Sequence, residues 1–248
     1  MASDVSSSPS DGLPAPVRAF GGAAVVVVLA LVCASIFLSL GDALFRSVGI
    51  ERGTALYTAL RSASQFVGFG VAGAGYLTAT DQWDLIHRGR PTRRDLGWTA
   101  AGFGVLLAFY LVISVGITAL GIDSGQSVLE QQILDQPVLG LYYIPVTLLL
   151  VAPTEELVFR GAVQGLLRRE YGVPFAVAGS SATFASIHFA SFTGEGALVS
   201  LTVVLVLGAV LGVVYERSEN LLVPVVAHGL YNVVQFAMTY AAAVGALG

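Results

Sequence analysis

The sequence has no lysine, a single cysteine and few charges of either sign. Of its 248 residues, 12 are basic, all of them arginine, and 16 are acidic, so charged side chains make up 11%. A soluble domain carries about 25%. Hydrophobic residues account for 55% of the chain and mean hydropathy is +0.79. A soluble chain cannot hide that much apolar surface without large exposed patches. The scarcity of charge therefore excludes a cytosolic enzyme and a disordered protein. Together with a net charge of −4, it also excludes a nucleic-acid binder. The lone cysteine, Cys33, lies in an apolar run and excludes an internal disulfide framework. The lack of lysine is compositional and carries no functional weight.

What the chain has instead is long apolar runs. Residues 20–40 contain no charge, which is too long for a signal-peptide core, and Val32 before Cys33 is not the small residue that precedes a lipidated cysteine. This run is expected to be a retained transmembrane helix. About 20 apolar residues cross roughly 30 Å of hydrocarbon. On that ruler, helices are predicted at about 20–41, 55–80, 98–121, 138–168, 173–192, 197–216 and 221–246. The fourth is too long for one straight crossing and contains Pro145 and Pro153, each of which removes a helix donor. It is either one bent helix or a shorter crossing followed by a new helix capped by Thr154. The expected fold is all-α: a polytopic transmembrane helical bundle of seven spans, with eight as the alternative, around a membrane-embedded polar cavity. Residues 1–17, rich in Ser, Pro and Asp, are expected to form a disordered tail. Residues 18–248 are expected to form a single transmembrane domain, with the motifs in the half at about 138–248. No internal repeat supports an inverted-repeat transporter.

Arginine placement sets the expected orientation. The 81–97 loop carries Arg88, Arg90, Arg93 and Arg94, and the 168–172 turn carries Arg168 and Arg169. The 122–137 loop has Asp123, Glu130 and Asp135 and no cation. The first two segments are therefore placed inside and the third outside, giving a multi-pass protein of the cell membrane with a cytoplasmic N-terminus. Arg46 and Arg52, in a loop that would then lie outside, run mildly against this.

Ionisable groups inside spans are costly and mark function or a paired structural site. Arg61 lies near enough to a helix end to snorkel, and His87 belongs to the solvated arginine-rich loop. Glu155, Glu156, Arg160, His188 and His228 need another account. Glu155 and Glu156 are adjacent and point about 100° apart on a helix. Glu156 and Arg160, four apart, share a face and form an ion pair that serves structure. Glu155 is left over, free to act as a general base or acid. Phe184, one turn before His188, can pack beside its imidazole, and His228 and Asn232 again share a face.

A carboxylate and an imidazole can deprotonate a water, while a second imidazole and an amide bind the developing oxyanion. Alternatively, Glu155, His188 and His228 are a ligand set for zinc with a fourth position for water. The linear His-Glu-x-x-His signature is absent, as is a serine nucleophile elbow, and Cys33 has no basic neighbour. The residues favour an amide hydrolase that uses activated water, with or without a metal. A non-catalytic scaffold and a proton-coupled transporter are the competing readings.

Glu-Glu-x-x-x-Arg, Phe-x-x-x-His and His-x-x-x-Asn, each on its own late hydrophobic segment over 153–232, resemble the CPBP intramembrane proteases. That family includes the type II CAAX prenyl endopeptidases and bacteriocin-processing or immunity proteins. The resemblance implies a helical bundle with a conical catalytic cavity in the membrane. By motif position, Glu155 and His188 would activate the water, and His228 with Asn232 would bind the oxyanion. Glu156 and Arg160 would orient the first motif's helix. The implied partners are the lipid bilayer and a peptide or protein substrate, lipidated or not, with no nucleic acid. Cleavage near the membrane surface would release a short C-terminal or leader peptide.

Overall fold

A computed structural model describes residues 14–246. Most of the expected disordered tail, residues 1–13, lies outside the described residues. Its inner boundary moves, because the first helix, α1 (Ala15–Ser47), starts inside the stretch assigned to the tail, with Pro14 preorganised at its entry. Seven further helices follow: α2 (Ala55–Ala79), α3 (Arg93–Leu120), α4 (Val128–Asp135), α5 (Val138–Tyr171), α6 (Val173–Ile187), α7 (Ala197–Ser218) and α8 (Leu222–Ala243). The described residues are otherwise loops, two short 3-10 turns and one antiparallel pairing of β1 (Gln126–Ser127) with β2 (Phe192–Thr193).

Five of these helices, α1, α3, α5, α7 and α8, are long and apolar enough to cross a membrane. Two helices counted as crossings in the sequence differ from them. α2 has 25 residues, but Arg61, Gln65 and four glycines dilute its apolar character. α6 has only 15 residues because its last turn tightens at His188. Helix α4 falls in a segment expected to be loop. Its signal is Ser127-x-x-Glu130, a capping pattern in which the Ser127 hydroxyl accepts from the Glu130 N–H at 3.3 Å.

Local chemistry explains most helix ends. The Thr92 hydroxyl accepts from the Asp95 N–H while the Asp95 carboxylate accepts from the Thr92 N–H, a reciprocal box that opens α3. Between α5 and α6, Gly172 takes φ of 78°, a conformation open to glycine, and Pro174 begins the next helix.

Helices α1 and α2 pack through small residues. Ala30 and Ala34 are buried, and a Cβ on Gly68 would lie 2.5 Å from the Cys33 carbonyl oxygen. At their common end, Asp42 accepts from the Tyr57 hydroxyl and from Arg52 Nη2 at 2.6 Å. Arg61 does not simply snorkel: it is half exposed, with Nε 3.9 Å from the same carboxylate.

Helix α5 occupies the centre, and it is one continuous helix of 34 residues. Thr154 does not start a new helix, since its hydroxyl donates back to the Leu150 carbonyl at 2.8 Å. The backbone instead widens twice into π-helical turns, at Thr147–Val151 and Leu157–Gln164, on either side of Ala152–Glu156. Pro145 and Pro153 lack the N–H that a regular α ladder needs, and the wider turns lie close to both. π-turns recur at functional sites. Here they frame the two glutamates, and residues Val158 through Gln164 are all buried.

Candidate active site

The two adjacent glutamates of α5 face different partners, as their angular offset requires. Glu155 points toward the C-terminal end of α6 and the middle of α8. Its Oε1 lies 3.9 Å from His188 Nε2 and its Oε2 lies 3.8 Å from His228 Nε2. The Glu155 side chain is 6% exposed, that of His228 8% and that of His188 22%, so access is from the His188 side.

Each imidazole is fixed through its other nitrogen. His188 Nδ1 lies 2.7 Å from the Phe184 carbonyl oxygen. A carbonyl only accepts, so Nδ1 carries a proton, and Nε2 is the nitrogen that faces Glu155. His228 Nδ1 donates to Glu156 Oε1 at 3.0 Å. Both rings therefore present Nε2 to the same carboxylate.

Glu156 also pairs with Arg160, the Nε–Oε2 distance being 3.3 Å with both side chains fully buried. The Arg160 guanidinium stacks 5.1 Å from the centre of the Phe184 ring, and its Nη1 donates to the Ser180 hydroxyl at 3.3 Å. Phe184 is a shared wall: its ring centre lies 4.4 Å from that of His188, 6.1 Å from that of His228 and 5.1 Å from that of Phe159. Asn232, one turn beyond His228, donates one amide N–H to the buried Thr147 hydroxyl at 3.3 Å and keeps a second to give.

The structure thus brings Glu155, Glu156, Arg160, Phe184, His188 and His228 into one contact network from α5, α6 and α8. Asn232 joins α8 to the first π-turn through Thr147. Two participants were not foreseen. Ser180 has a readable signal, because Ser180, Phe184 and His188 recur every four residues on one face of α6. Thr147 has none, because its place depends on the π-turn. The His228–Glu156 bond was also unforeseen, since nothing in sequence spacing says which glutamate an imidazole on another helix will meet.

His87 departs from the expected solvated loop residue. Its ring stacks 5.6 Å from Tyr215, its Nδ1 accepts from Arg168 at 3.4 Å, and its backbone N–H donates to the Tyr215 hydroxyl. Arg168 in turn pairs with Glu216 at 3.1 Å, and Gln164 donates to the same carboxylate at 2.7 Å.

A four-coordinate zinc about 2.0–2.1 Å from each ligand holds its donors around one point. Here the two histidines approach opposite oxygens of Glu155, at 3.9 and 3.8 Å. Among the described residues, no three His, Cys, Asp or Glu side chains gather as a metal-binding group. The arrangement does not fit the ion.

The chain is thus helical with several apolar helices long enough to cross a membrane, and it gathers a buried glutamate and two histidines in one set of contacts. Residues 137–234 match the family described as Type II CAAX prenyl endopeptidase Rce1-like, so this segment is similar to the CPBP/CAAX proteases. Glu155, Glu156, Arg160, Phe184, His188, His228 and Asn232 all lie within the matched segment. No curated protein matches the chain, and no solved structure does.

Proposed function

We propose that this protein is an intramembrane endopeptidase that hydrolyses a peptide bond with a water activated by Glu155 and His188. The observation that carries the reading is the placement of the Glu155 carboxylate between two imidazole Nε2 atoms, at 3.9 and 3.8 Å, in a nearly closed site. A gap of 3.9 Å between two acceptors suits one water that donates a proton to each.

Glu155 takes a proton from this water as its oxygen bonds to the scissile carbonyl carbon, and the carbonyl π electrons move onto oxygen. The second amide N–H of Asn232 and an Nε2–H of His228 donate to that oxyanion. His228 can donate there only when both its nitrogens are protonated. In that state Glu155, Glu156, Arg160 and His228 carry two negative and two positive charges, so the buried set is neutral. The neutral Glu155 carboxyl then gives its proton to the departing nitrogen, the C–N bond breaks, and the products are a carboxyl group and an amine. Glu156 and Arg160 hold His228 and touch no reacting atom.

In this reading α2 and α6 complete a seven-crossing bundle around a polar cavity, with the N-terminus cytoplasmic. The substrate is a membrane-borne peptide or protein cut near the membrane surface, lipidated or not. The test is a proteomic search for terminal fragments that accumulate with wild type and vanish with Glu155→Gln. Persistence of the fragments in a folded Glu155→Gln protein overturns the reading. A chelator series on the purified protein should leave their release unchanged, and loss of release restored by added zinc would reinstate the metal.

A further inference from the structure

Among the described residues Arg160 is the largest fully buried side chain, and its guanidinium has few directional partners. Its ion pair with Glu156 is close, at 3.3 Å, but Nε is not aimed for a hydrogen bond, and Nη2 has no partner among the described residues. The one side-chain hydrogen bond found for the guanidinium there is Nη1 to Ser180 Oγ, at 3.3 Å. Ser180 is fully buried, and its own proton goes to the Phe159 carbonyl at 2.9 Å. Its hydroxyl is thus oriented from the π-turn of α5 so that its lone pairs face Arg160.

We propose that Ser180 is a positioning residue for His228, acting through Arg160 and Glu156. A guanidinium held mainly by charge and by the Phe184 face can rotate with little directional penalty. The Ser180 acceptor removes that freedom and so fixes which Glu156 oxygen is left for His228 Nδ1. The line of contacts is Ser180 Oγ, Arg160, Glu156 Oε2 and Oε1, His228 Nδ1, and from Nε2 across 3.8 Å to Glu155. The importance of this line for catalysis rests on the function proposed above, but the line itself does not.

The neighbouring Ser181 supplies a control. It is equally buried on the same helix, but its hydroxyl donates to the Val177 carbonyl of its own helix at 2.7 Å. The chain holds only three histidines, His87, His188 and His228, so ¹⁵N-histidine labelling of the full chain in lipid nanodiscs gives three ring systems, assigned by single replacement.

In wild type, His228 should show a slowly exchanging, strongly hydrogen-bonded Nδ1–H. Ser180→Ala should displace or broaden that signal and abolish its slow exchange. His188, held by the Phe184 backbone, and His87 should stay in place. Ser181→Ala should leave all three unchanged. An unaltered His228 signal in Ser180→Ala overturns the proposal, as does an equal change in Ser181→Ala or a matching shift of His188, which would mean general loosening of α6. If Ser180→Ala does not fold, Ser180→Cys keeps the shape with a weaker acceptor and should shift His228 in the same direction by less; no shift overturns the proposal. These signals are read without substrate, so retained cleavage by Glu155→Gln would remove the proposed function and leave this coupling standing.

Discussion

Glu156 and His228, 72 positions apart in the chain, are joined by a hydrogen bond of 3.0 Å inside the protein. It gives the ion pair between Glu156 and Arg160 a second duty. A buried pair is weak evidence for stability in itself, because desolvation offsets much of its attraction. A carboxylate that must stay ionised to hold an imidazole in one orientation is better explained by specificity, and Arg160 is the cation that keeps it so.

Removal of that cation has a definite consequence. Arg160→Ala leaves the fully buried Glu156 without its guanidinium, with His228 as its remaining partner, and breaking a buried pair in this way costs about 3–5 kcal/mol. Thermal unfolding in lipid should show a large loss of stability, and normal expression with an unchanged midpoint would refute the structural assignment. Replacing both partners with apolar residues, as in Glu156→Met with Arg160→Met, should recover much of the stability. It should not recover cleavage, because His228 then has no acceptor at Nδ1.

Asn232 and Thr147 separate a donor from its support. Asn232→Ala deletes a proposed oxyanion donor and should lower the turnover rate by about 10²–10³-fold, with little change in KM. Thr147→Val keeps the shape but removes the acceptor that aims the Asn232 amide at 3.3 Å. Its loss should be smaller, on the order of tenfold, comparable to misplacing one hydrogen bond. The substrate is the fragment precursor found by the proteomic comparison. Equal losses in the two variants would place Thr147 among the groups that touch the reacting atoms.

Much of this arrangement was legible in the sequence because the membrane makes polar residues conspicuous. Glu155, Glu156 and Arg160 stand out against an apolar helix, and i,i+4 spacing correctly pairs Glu156 with Arg160 and places Phe184 beside His188. Spacing says nothing about contacts between helices, so the His228–Glu156 bond and the Ser180–Arg160 bond were invisible. Regular helix geometry also hides π-turns. The two in α5 add residues per turn around Pro145 and Pro153, and they alter the facing of Thr147 in a way no 3.6-residue wheel reproduces. His87 shows the same limit, because a histidine among arginines looks solvated until another helix supplies Tyr215 and Glu216.

That environment makes His87 a source of pH dependence. Burial, followed by the nearby Arg168 guanidinium, holds its imidazole below the ordinary value, against the opposing pull of Glu216 and Glu219. The folded protein therefore binds this proton less readily than the unfolded chain, and stability rises with pH across the window between the two values. The contribution is complete above the ordinary imidazole value of about 6.5 and is lost as pH falls below it. His87→Asn keeps an acceptor for Arg168 and cannot charge. Unfolding midpoints measured across the imidazole range should fall less steeply toward acid in this variant than in wild type; parallel curves would assign the dependence to other groups.

The packing of α1 on α2 makes a prediction independent of the active site. A Cβ on Gly68 would meet the Cys33 carbonyl oxygen at 2.5 Å and its carbon at 2.8 Å, and these backbone atoms belong to an intact helix that cannot yield locally. Gly68→Ala must therefore push the two helices apart along Ala30 and Ala34, and overpacking of this kind costs about 1–3 kcal/mol. Gly75 lies on the same helix with nothing within 4 Å of its added Cβ, so Gly75→Ala relieves backbone entropy without a clash and should be neutral or stabilising by up to about 1 kcal/mol. Opposite shifts of the unfolding midpoint in the two variants are expected. Equal shifts would mean that helix propensity, and not the close approach at Cys33, governs this interface.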